Sequence, residues 1–242
     1  VPTYNVEGYT WTETTPSLDD LTVVDDQDYQ MTIVPNKYDI IFNAGEGLIN
    51  GSATATIRAD YKATLQSVAN NITGVTREGY DLVGWSYTEG GEAIDLATET
   101  VPVDGVTLYA VWEIKSYTAN FRAGAGIFAE TGNNLYSVTV TYGDSIPSPA
   151  VPERTGYKFT AWSPAVPSAM PAATQNFTAQ WALESYTVKF VIDGNEIEQP
   201  YNFGEDIIAP DETETVKEGY TFKYWMDANG NEVEIPATMA DI

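Results

Sequence analysis

Neither cysteine nor histidine occurs in the 242 residues of the chain. Without cysteine there are no disulfide bonds, no thiolate nucleophiles and no zinc–thiolate sites. Without histidine the chain lacks the usual general base near neutral pH, which excludes a Ser-His-Asp hydrolase. Close pairs of acidic residues arise by chance in so acidic a chain, and none has the apolar setting that glycoside hydrolysis needs. We therefore predict that the chain is not an enzyme.

Basic residues are scarce, since 11 Lys and Arg stand against 35 Asp and Glu and give a net charge of −24. Phosphates are bound by Lys and Arg, so the charge excludes nucleic acid as a partner. The acidic excess is strongest at the two ends, with 7 acids and no base in residues 1–36 and 13 acids against 3 bases in residues 185–242. Solubility through self-repulsion explains this charge, and a second interpretation is that the acidic ends face cations or a basic partner.

Long apolar runs are also missing. No stretch of about 18 consecutive apolar residues is present, so we predict no membrane span. No leader or sorting signal is recognisable, which is typical of a mature chain or of a segment of a longer protein. What the chain does have is 43% hydrophobic and 12% aromatic residues, which is enough to build cores. Thr, Val, Tyr, Phe and Trp are abundant and favour strands, so we predict a mainly β protein.

A nine-residue phrase recurs along the chain. It reads R-E-G-Y-D-L-V-G-W at 77–85, R-T-G-Y-K-F-T-A-W at 154–162 and K-E-G-Y-T-F-K-Y-W at 217–225, with a clipped form at 7–11. A second phrase reads T-L-Y-A-V-W-E-I-K-S-Y-T-A-N-F at 107–121. This phrase recurs at 176–190, and a decayed copy lies at 28–42. Because the two phrases alternate in a fixed order, both belong to one repeating unit.

The repeating unit runs from an opening strand (Y-x-x-x-F) through a turn, a second strand and a Gly-Tyr strand to a closing strand that ends in Trp. We predict three modules, at 37–115, 116–184 and 185–242, and the last of them lacks its closing strand. Residues 1–36 are interpreted as the C-terminal part of a preceding repeat or as an N-terminal strand segment. The joins between modules are only four residues long, which predicts a fixed, elongated array.

Three local features can be predicted inside the modules. Residues 59–71 have apolar side chains at helical spacing and are the one helix candidate. Asp193-Gly194 is the signal for a tight hairpin turn, because glycine tolerates positive φ. Trp162 is out of phase with Tyr157 and Phe159 on their strand, so a bulge or strand end must re-aim it.

These phrases resemble the Listeria–Bacteroides repeat, known as the B repeat of internalin-type surface proteins. The resemblance rests on Y-T-V-K-F at 186–190, on the three nine-residue phrases and on T-L-Y-A-V-W at 107–112, and it covers nearly the whole chain. It implies small β-grasp-like modules (α+β, mainly β) in tandem within bacterial surface proteins, where they act as stalks or adhesive segments. It implies no catalytic residue.

Aromatic side chains at fixed positions in each copy are predicted to fill the cores of these small modules. The alternative is a surface on which carbohydrate stacks. The predicted core residues are Phe42, Tyr80, Trp85, Trp112, Phe121, Tyr157, Phe159, Trp162, Trp181, Phe190, Tyr220, Phe222 and Trp225.

We expect no cofactor and no metal site, although two acidic stretches have a composition that suits calcium, at 19–28 and 227–232. Neither stretch completes a calcium-binding loop of the helix–loop–helix type. The alternative for each is a solvated turn.

Three functions fit these observations, all at the extracellular surface of a bacterium. The first is a structural stalk or adhesin segment. The second is a self-assembling fibre, in which an N-terminal strand carrying Tyr29, Met31 and Ile33 completes the C-terminal module of a neighbour. The third is a module that binds a host protein or a glycan. The expected partner is therefore protein, either self or host, or a glycan.

Overall fold

The computed structural model describes residues 6–12, 32–211 and 217–240. Nearly all of its regular structure is strand. The elements up to residue 115 are β1 (Tyr9–Thr12), β2 (Thr32–Pro35), β3 (Lys37–Asn43), β4 (Leu48–Ile49), β5 (Thr54–Asp60), α1 (Leu65–Ala69), β6 (Val75–Thr76), β7 (Tyr80–Ser86) and β8 (Val106–Ile114). The later strands are β9 (Ser116–Arg122), β10 (Leu135–Thr141), β11 (Tyr157–Ser163), β12 (Gln175–Leu183), β13 (Ser185–Ile192), β14 (Asn195–Asn202), β15 (Trp225–Met226) and β16 (Glu232–Val233). No helix in these ranges is long and apolar enough to cross a bilayer.

The chain divides into two compact units, residues 1–115 and 116–242. The first unit contains a mixed four-stranded sheet in the order β5-β3-β8-β7. The opening strand β3 pairs antiparallel with β5 and parallel with the closing strand β8, which pairs antiparallel with β7. The two central strands thus come from the two ends of the repeat, so the sheet is complete only when the closing strand is in place.

The second unit builds the same sheet from its first repeat, in the order β10-β9-β12-β11. Its opening strand β9 again lies parallel to the closing strand, here β12. The third repeat follows in the same unit as two separate strand pairs, β13-β14 and β15-β16. The fold is therefore mainly β, with small sheets in tandem.

The cores of the two complete sheets contain equivalent residues. Phe42 and Leu108 are fully buried in the first unit, and Phe121 and Phe177 are fully buried in the second. Phe42 lies opposite Leu108 in the parallel register, and Phe121 lies opposite Phe177. The alternation of side chains along a strand therefore sends one apolar residue from each central strand into the core.

The helix is much shorter than the sequence pattern predicted for residues 59–71. Strand β5 extends to Asp60, and Lys62 has a φ of +61°. Helix α1 begins only after Thr64, whose hydroxyl accepts a hydrogen bond from the Ser67 N–H at 3.3 Å. The end of β5 and the N-cap Thr64 therefore lie within the range that the sequence pattern predicted to be helix, and only its later part is helical.

The predicted bulge near Trp162 is confirmed. The register between β11 and β12 shifts between Phe159 and Ala161, and the register between β7 and β8 shifts between Leu82 and Gly84. Each shift turns the following tryptophan toward the core. The centroid of the Trp85 ring lies 4.8 Å from that of Phe42, and the centroid of the Trp162 ring lies 5.0 Å from that of Phe121.

The predicted hairpin turn at Asp193-Gly194 is also confirmed. Both residues have positive φ, 49° and 81°, and Ile192 pairs with Asn195 across the turn. Positive φ at both central residues is the requirement of a two-residue hairpin loop that matches the twist of its strands.

Consecutive repeats inside each unit are joined by the same contacts. The N–H of the joining residue donates to the carbonyl of the Gly-Tyr glycine, from Asn36 to Gly8 at 2.8 Å and from Glu184 to Gly156 at 2.9 Å. The carbonyl of the same joining residue accepts the N–H of an aromatic residue in the next repeat, Tyr61 at 2.8 Å or Phe203 at 2.9 Å. We call each such set of contacts a repeat joint.

An aromatic ring lies against the glycine in each repeat joint. A Cβ on Gly8 would come within 3.0 Å of the Tyr61 ring, and a Cβ on Gly156 would come within 3.0 Å of the Phe203 ring. Both glycines also have positive φ, 81° and 72°. The joint therefore requires glycine for two reasons, backbone conformation and space.

Candidate functional site: an open strand position in the third repeat

The closing strand of each complete repeat is fixed at its end by tryptophan. The indole N–H of Trp112 donates to the Ala44 carbonyl at 3.0 Å, and that of Trp181 donates to the Ala123 carbonyl at 3.1 Å. Both acceptors lie in the loop that directly follows the opening strand. The tryptophan thus ties the last strand of a repeat to its first turn.

A glycine beneath each indole makes room for this contact. A Cβ on Gly47 would come within 3.0 Å of both the Trp112 ring and the Thr76 carbonyl oxygen. A Cβ on Gly126 would lie 2.6 Å from the Trp181 ring and 2.7 Å from the Glu153 carbonyl oxygen. The loop sequences A-G-E-G and A-G-A-G therefore leave room for the ring of the closing tryptophan, and we call each of these loops a glycine receptor.

The third repeat has no closing strand among its described residues. Its opening strand β13 pairs with β14 alone, whereas β3 and β9 each have a strand on both sides. Its Gly-Tyr segment at 217–224 forms no strand. In the complete repeats this segment is held by its antiparallel pairing with the closing strand, so the missing partner explains the missing strand.

An open cavity lies where the closing strand would lie. It has a volume of about 580 Å³, with residues 189–193 of β13 on one side and Phe222 and residues 224–228 on the other. The two sides still meet beneath it, since the Phe190 and Trp225 ring centroids are 5.2 Å apart. This distance is close to the 4.8 and 5.0 Å of the equivalent ring pairs in the complete repeats, so the aromatic contact across the cavity is kept. We call this cavity the strand slot.

Two residues predicted to lie in the core are exposed, and for them the prediction was wrong. Tyr220 is 73% exposed and Phe222 is 49% exposed. The physical reason is the open strand slot, because the closing strand covers the equivalent residues in the complete repeats.

The other predicted core residues lie in two groups. Phe42, Phe121, Phe190 and Trp85 are buried. The half-buried residues are Tyr80, Trp112, Tyr157, Phe159, Trp162, Trp181 and Trp225.

The tyrosine of the Gly-Tyr phrase packs against the base that precedes it. The Arg77 guanidinium lies 3.8 Å from the centroid of the Tyr80 ring, and that of Arg154 lies 3.6 Å from the centroid of the Tyr157 ring. In the third repeat, the Lys217 ammonium lies 5.3 Å from the centroid of the Tyr220 ring. These cation–π contacts explain why a polar ring sits at the half-buried turn.

Of the three residues predicted for strand exchange, Tyr29 and Met31 lie outside the described residues. Ile33 lies in β2 and is 43% exposed. β2 pairs antiparallel with β1, with Tyr9 opposite Pro35. The complete repeats have the same register. In each of them, the tyrosine of the Gly-Tyr phrase lies opposite the residue that is two positions before the next opening strand.

The acidic stretch at 227–232 is a hydrogen-bonded turn. One carboxylate oxygen of Asp227 accepts the N–H groups of Asn229 at 2.8 Å and Asn231 at 2.9 Å. The other oxygen accepts a hydrogen bond from the Asn231 side-chain amide at 3.0 Å. The hydrogen bonds of the turn, this one most strongly, lower the pKa of the Asp227 carboxyl. In the described part of the chain no three acidic residues are grouped to hold a metal ion. The stretch at 19–28 lies outside that part.

We expect calcium to leave the stability of the full chain unchanged, because the oxygens of Asp227 already accept N–H groups. The measurement is the thermal unfolding midpoint in excess CaCl2 against excess EDTA, at equal ionic strength. A midpoint that rises in calcium and falls again in EDTA would contradict this expectation.

Two features of the site were missed by sequence reasoning. The glycine receptors for Trp112 and Trp181 were treated as ordinary turn residues, although the A-G-x-G loop is present in the two repeats with a closing Trp and absent from the third. The aromatic residues Tyr61 and Phe203 are not among the residues that the sequence singles out. Their constant pairing with a Gly-Tyr glycine one repeat earlier was the available signal.

Comparison with known proteins identifies the repeats. The Listeria-Bacteroides repeat domain matches residues 38–111, 117–179 and 186–240. The chain is 30% identical over 188 residues to a predicted membrane protein of Evansella cellulosilytica, and 30% identical over 210 residues to a predicted Gly-rich membrane protein of the same organism. These matches cover 72% and 78% of this chain, but only 26% and 22% of those proteins.

A third relative is Internalin H of Listeria monocytogenes, which is 36% identical over 115 residues. That match covers 45% of this chain and 20% of Internalin H. The chain thus spans about a quarter or less of the length of the relatives it matches. Since three successive copies of the family's pattern together cover most of the chain, the chain belongs to the Listeria-Bacteroides repeat family.

Proposed function

We propose that the chain is a non-catalytic structural segment of a bacterial cell-surface protein, a stalk or adhesin segment that carries other parts of that protein. The relatives support a surface location, because two are described as membrane proteins and one is an internalin. The repeat joint is the main observation in support of a structural role, since a stalk needs ordered connections between one repeat and the next.

A repeat joint restricts movement more than a four-residue linker would. Two backbone hydrogen bonds converge on Glu184, one to the preceding repeat and one from the following repeat. The Phe203 ring on Gly156 adds an apolar contact beside them. The two hydrogen bonds and the ring contact act on the same few residues, so together they order the backbone at the connection.

Glutamyl endopeptidase tests the joint directly. We expect cleavage after Glu184 to be slow in the native chain, because its backbone is held on both sides. Cleavage after the exposed Glu89, in the loop that follows β7, is expected to be fast. Mass spectrometry of timed digests gives the two rates. Equal rates would contradict the ordered joint and remove the main support for a stalk.

Replacing Gly156 with alanine should raise the cleavage rate after Glu184. The new Cβ would meet the Phe203 ring, which adds about 1–3 kcal/mol of overpacking to the cost of positive φ. Gly143→Ala is the matched control, because Gly143 has a φ of 82° but no atom within 4 Å of its Cβ position. If both variants change cleavage equally, the ring contact has no role in the joint.

A further inference from the structure

We infer that the second repeat binds the carboxylate group of a small molecule at the guanidinium of Arg154, in the position that an acidic side chain of the chain itself occupies in the other two repeats. This goes beyond the proposed structural role and does not depend on it. A loose repeat joint would leave this site intact, whereas failure of the site would leave the stalk proposal intact.

In the first repeat, the base that precedes the Gly-Tyr phrase is paired with an acid. Arg77 forms an ion pair with Glu46, which belongs to the A-G-E-G loop that follows the opening strand. The same guanidinium lies over the Tyr80 ring. The ring thus orients the guanidinium while its N–H groups remain available to a carboxylate.

The third repeat has the same arrangement with a different pair of residues. The Lys217 ammonium forms an ion pair with the Asp193 carboxylate at 2.7 Å, and it also lies over the Tyr220 ring. Asp193 directly follows the opening strand β13, so its carboxylate comes from the same loop of the repeat as that of Glu46. Two repeats therefore place a carboxylate from their first loop on the base of the Gly-Tyr phrase.

The second repeat keeps the base but lacks the acid. The half-buried Arg154 guanidinium lies over the Tyr157 ring, and it is 5.9 Å from the centroid of the Trp181 ring. Ala125 takes the position of Glu46, in an A-G-A-G loop that has no acidic residue. Within residues 6–12, 32–211 and 217–240, the Arg154 side chain has no ion pair and no hydrogen bond. Two rings thus hold a guanidinium whose N–H groups can bind an external carboxylate.

The charge of the chain limits the ligand to a small acid. Residues 116–184 carry 4 acids and 3 bases, whereas residues 37–115 carry 11 acids and 5 bases, and residues 185–242 carry 13 and 3. The second repeat is therefore nearly neutral, so a single carboxylate meets little repulsion there. A polyanion would meet the net charge of −24 of the whole chain. A sugar acid and the carboxyl terminus of a short peptide both offer one such group.

NMR of the arginine side chains tests the site, because the chain has only four arginines. Sodium glucuronate is titrated into the full chain at constant ionic strength, with NaCl as the balancing salt. We expect a saturable shift of the Arg154 Nε–H signal that exceeds the Arg77 shift about fivefold or more, because Glu46 already occupies Arg77. The Arg154→Lys variant lacks one signal and so assigns it.

Two reciprocal variants test the role of the loop acid. Ala125→Glu should reduce the Arg154 shift about fivefold or more, because the new carboxylate would take the place of the ligand. Glu46→Ala should raise the Arg77 shift to about that of Arg154. Both positions are exposed, so neither change removes a core contact. Backbone amide spectra of each variant show whether its fold is retained.

Two further ligands, used with the unaltered chain, separate the sources of the carboxylate. N-acetylglycine carries the group on a peptide-like molecule, and glucose is a sugar without it. Both acids should shift the Arg154 signal, and the tighter of the two indicates a peptide terminus or a sugar acid. Glucose should leave the signal unchanged. A glucose shift equal to that of glucuronate would overturn the inference, as would the lack of a saturable shift or an undiminished shift in Ala125→Glu.

Discussion

Replacing Phe121 with alanine is expected to lower the free energy of unfolding of the second repeat by about 3–5 kcal/mol. Phe121 is fully buried, and its ring centroid lies 4.9 Å from that of Phe177 and 5.0 Å from that of Trp162. One of these neighbours comes from the closing strand and the other from the Gly-Tyr strand. Alanine would leave a cavity at the point where all parts of the repeat meet.

Phe190→Ala is the matched control, since Phe190 has the same position in the third repeat. It contacts Trp225 at 5.2 Å but has no closing-strand neighbour in the described residues. We expect a smaller loss, about 1–2 kcal/mol, because part of its surroundings is the open slot. The repeats need not unfold together, so amide hydrogen exchange measured repeat by repeat is the appropriate assay. Equal losses would contradict an incomplete third repeat.

Replacing Gly47 with alanine is expected to destabilise the first repeat by about 3 kcal/mol. The new Cβ would collide with the Trp112 ring and with the Thr76 carbonyl, and that carbonyl belongs to a paired strand that cannot move away alone. The closing strand would have to shift, and the hydrogen bond from the indole to Ala44 would be lost.

Gly45→Ala is the control in the same loop. Gly45 has a φ of 60° and open space around its Cβ position, so alanine there should cost only about 1 kcal/mol. A double variant of Gly47→Ala with Trp112→Leu tests the mechanism further. If the glycine is the receptor for the indole, the two changes should be less than additive, because leucine leaves room for the Cβ. Additive losses would show that Gly47 serves some other purpose.

Features of the fold that depend on residues close together in sequence could be predicted. The Asp193-Gly194 turn follows from backbone sterics, and the bulge before Trp162 follows from side-chain alternation. Both depend on neighbours within a few residues. The repeat pattern itself required only that two phrases recur in order.

Features that depend on distant partners could not be predicted in this way. Tyr220 has the same position in the nine-residue phrase as Tyr157, yet it is exposed, because its environment depends on a strand that is distant in sequence. The helix predicted at residues 59–71 was too long, because the first of these residues pair with β3 as the end of strand β5. That pairing involves a strand distant in sequence. The glycine receptor joins Gly47 to Trp112 across most of a repeat, which no local pattern reveals.

The central claim is that β13 is paired on one side only within the described ranges, whereas β3 and β9 are paired on both sides. Amide exchange of the dilute chain, read at single residues, tests it most directly. We predict that alternate amides among residues 188–191 exchange quickly, while those at the equivalent residues 40–43 and 119–122 are protected. Equal protection of all three opening strands in the dilute chain would contradict the account.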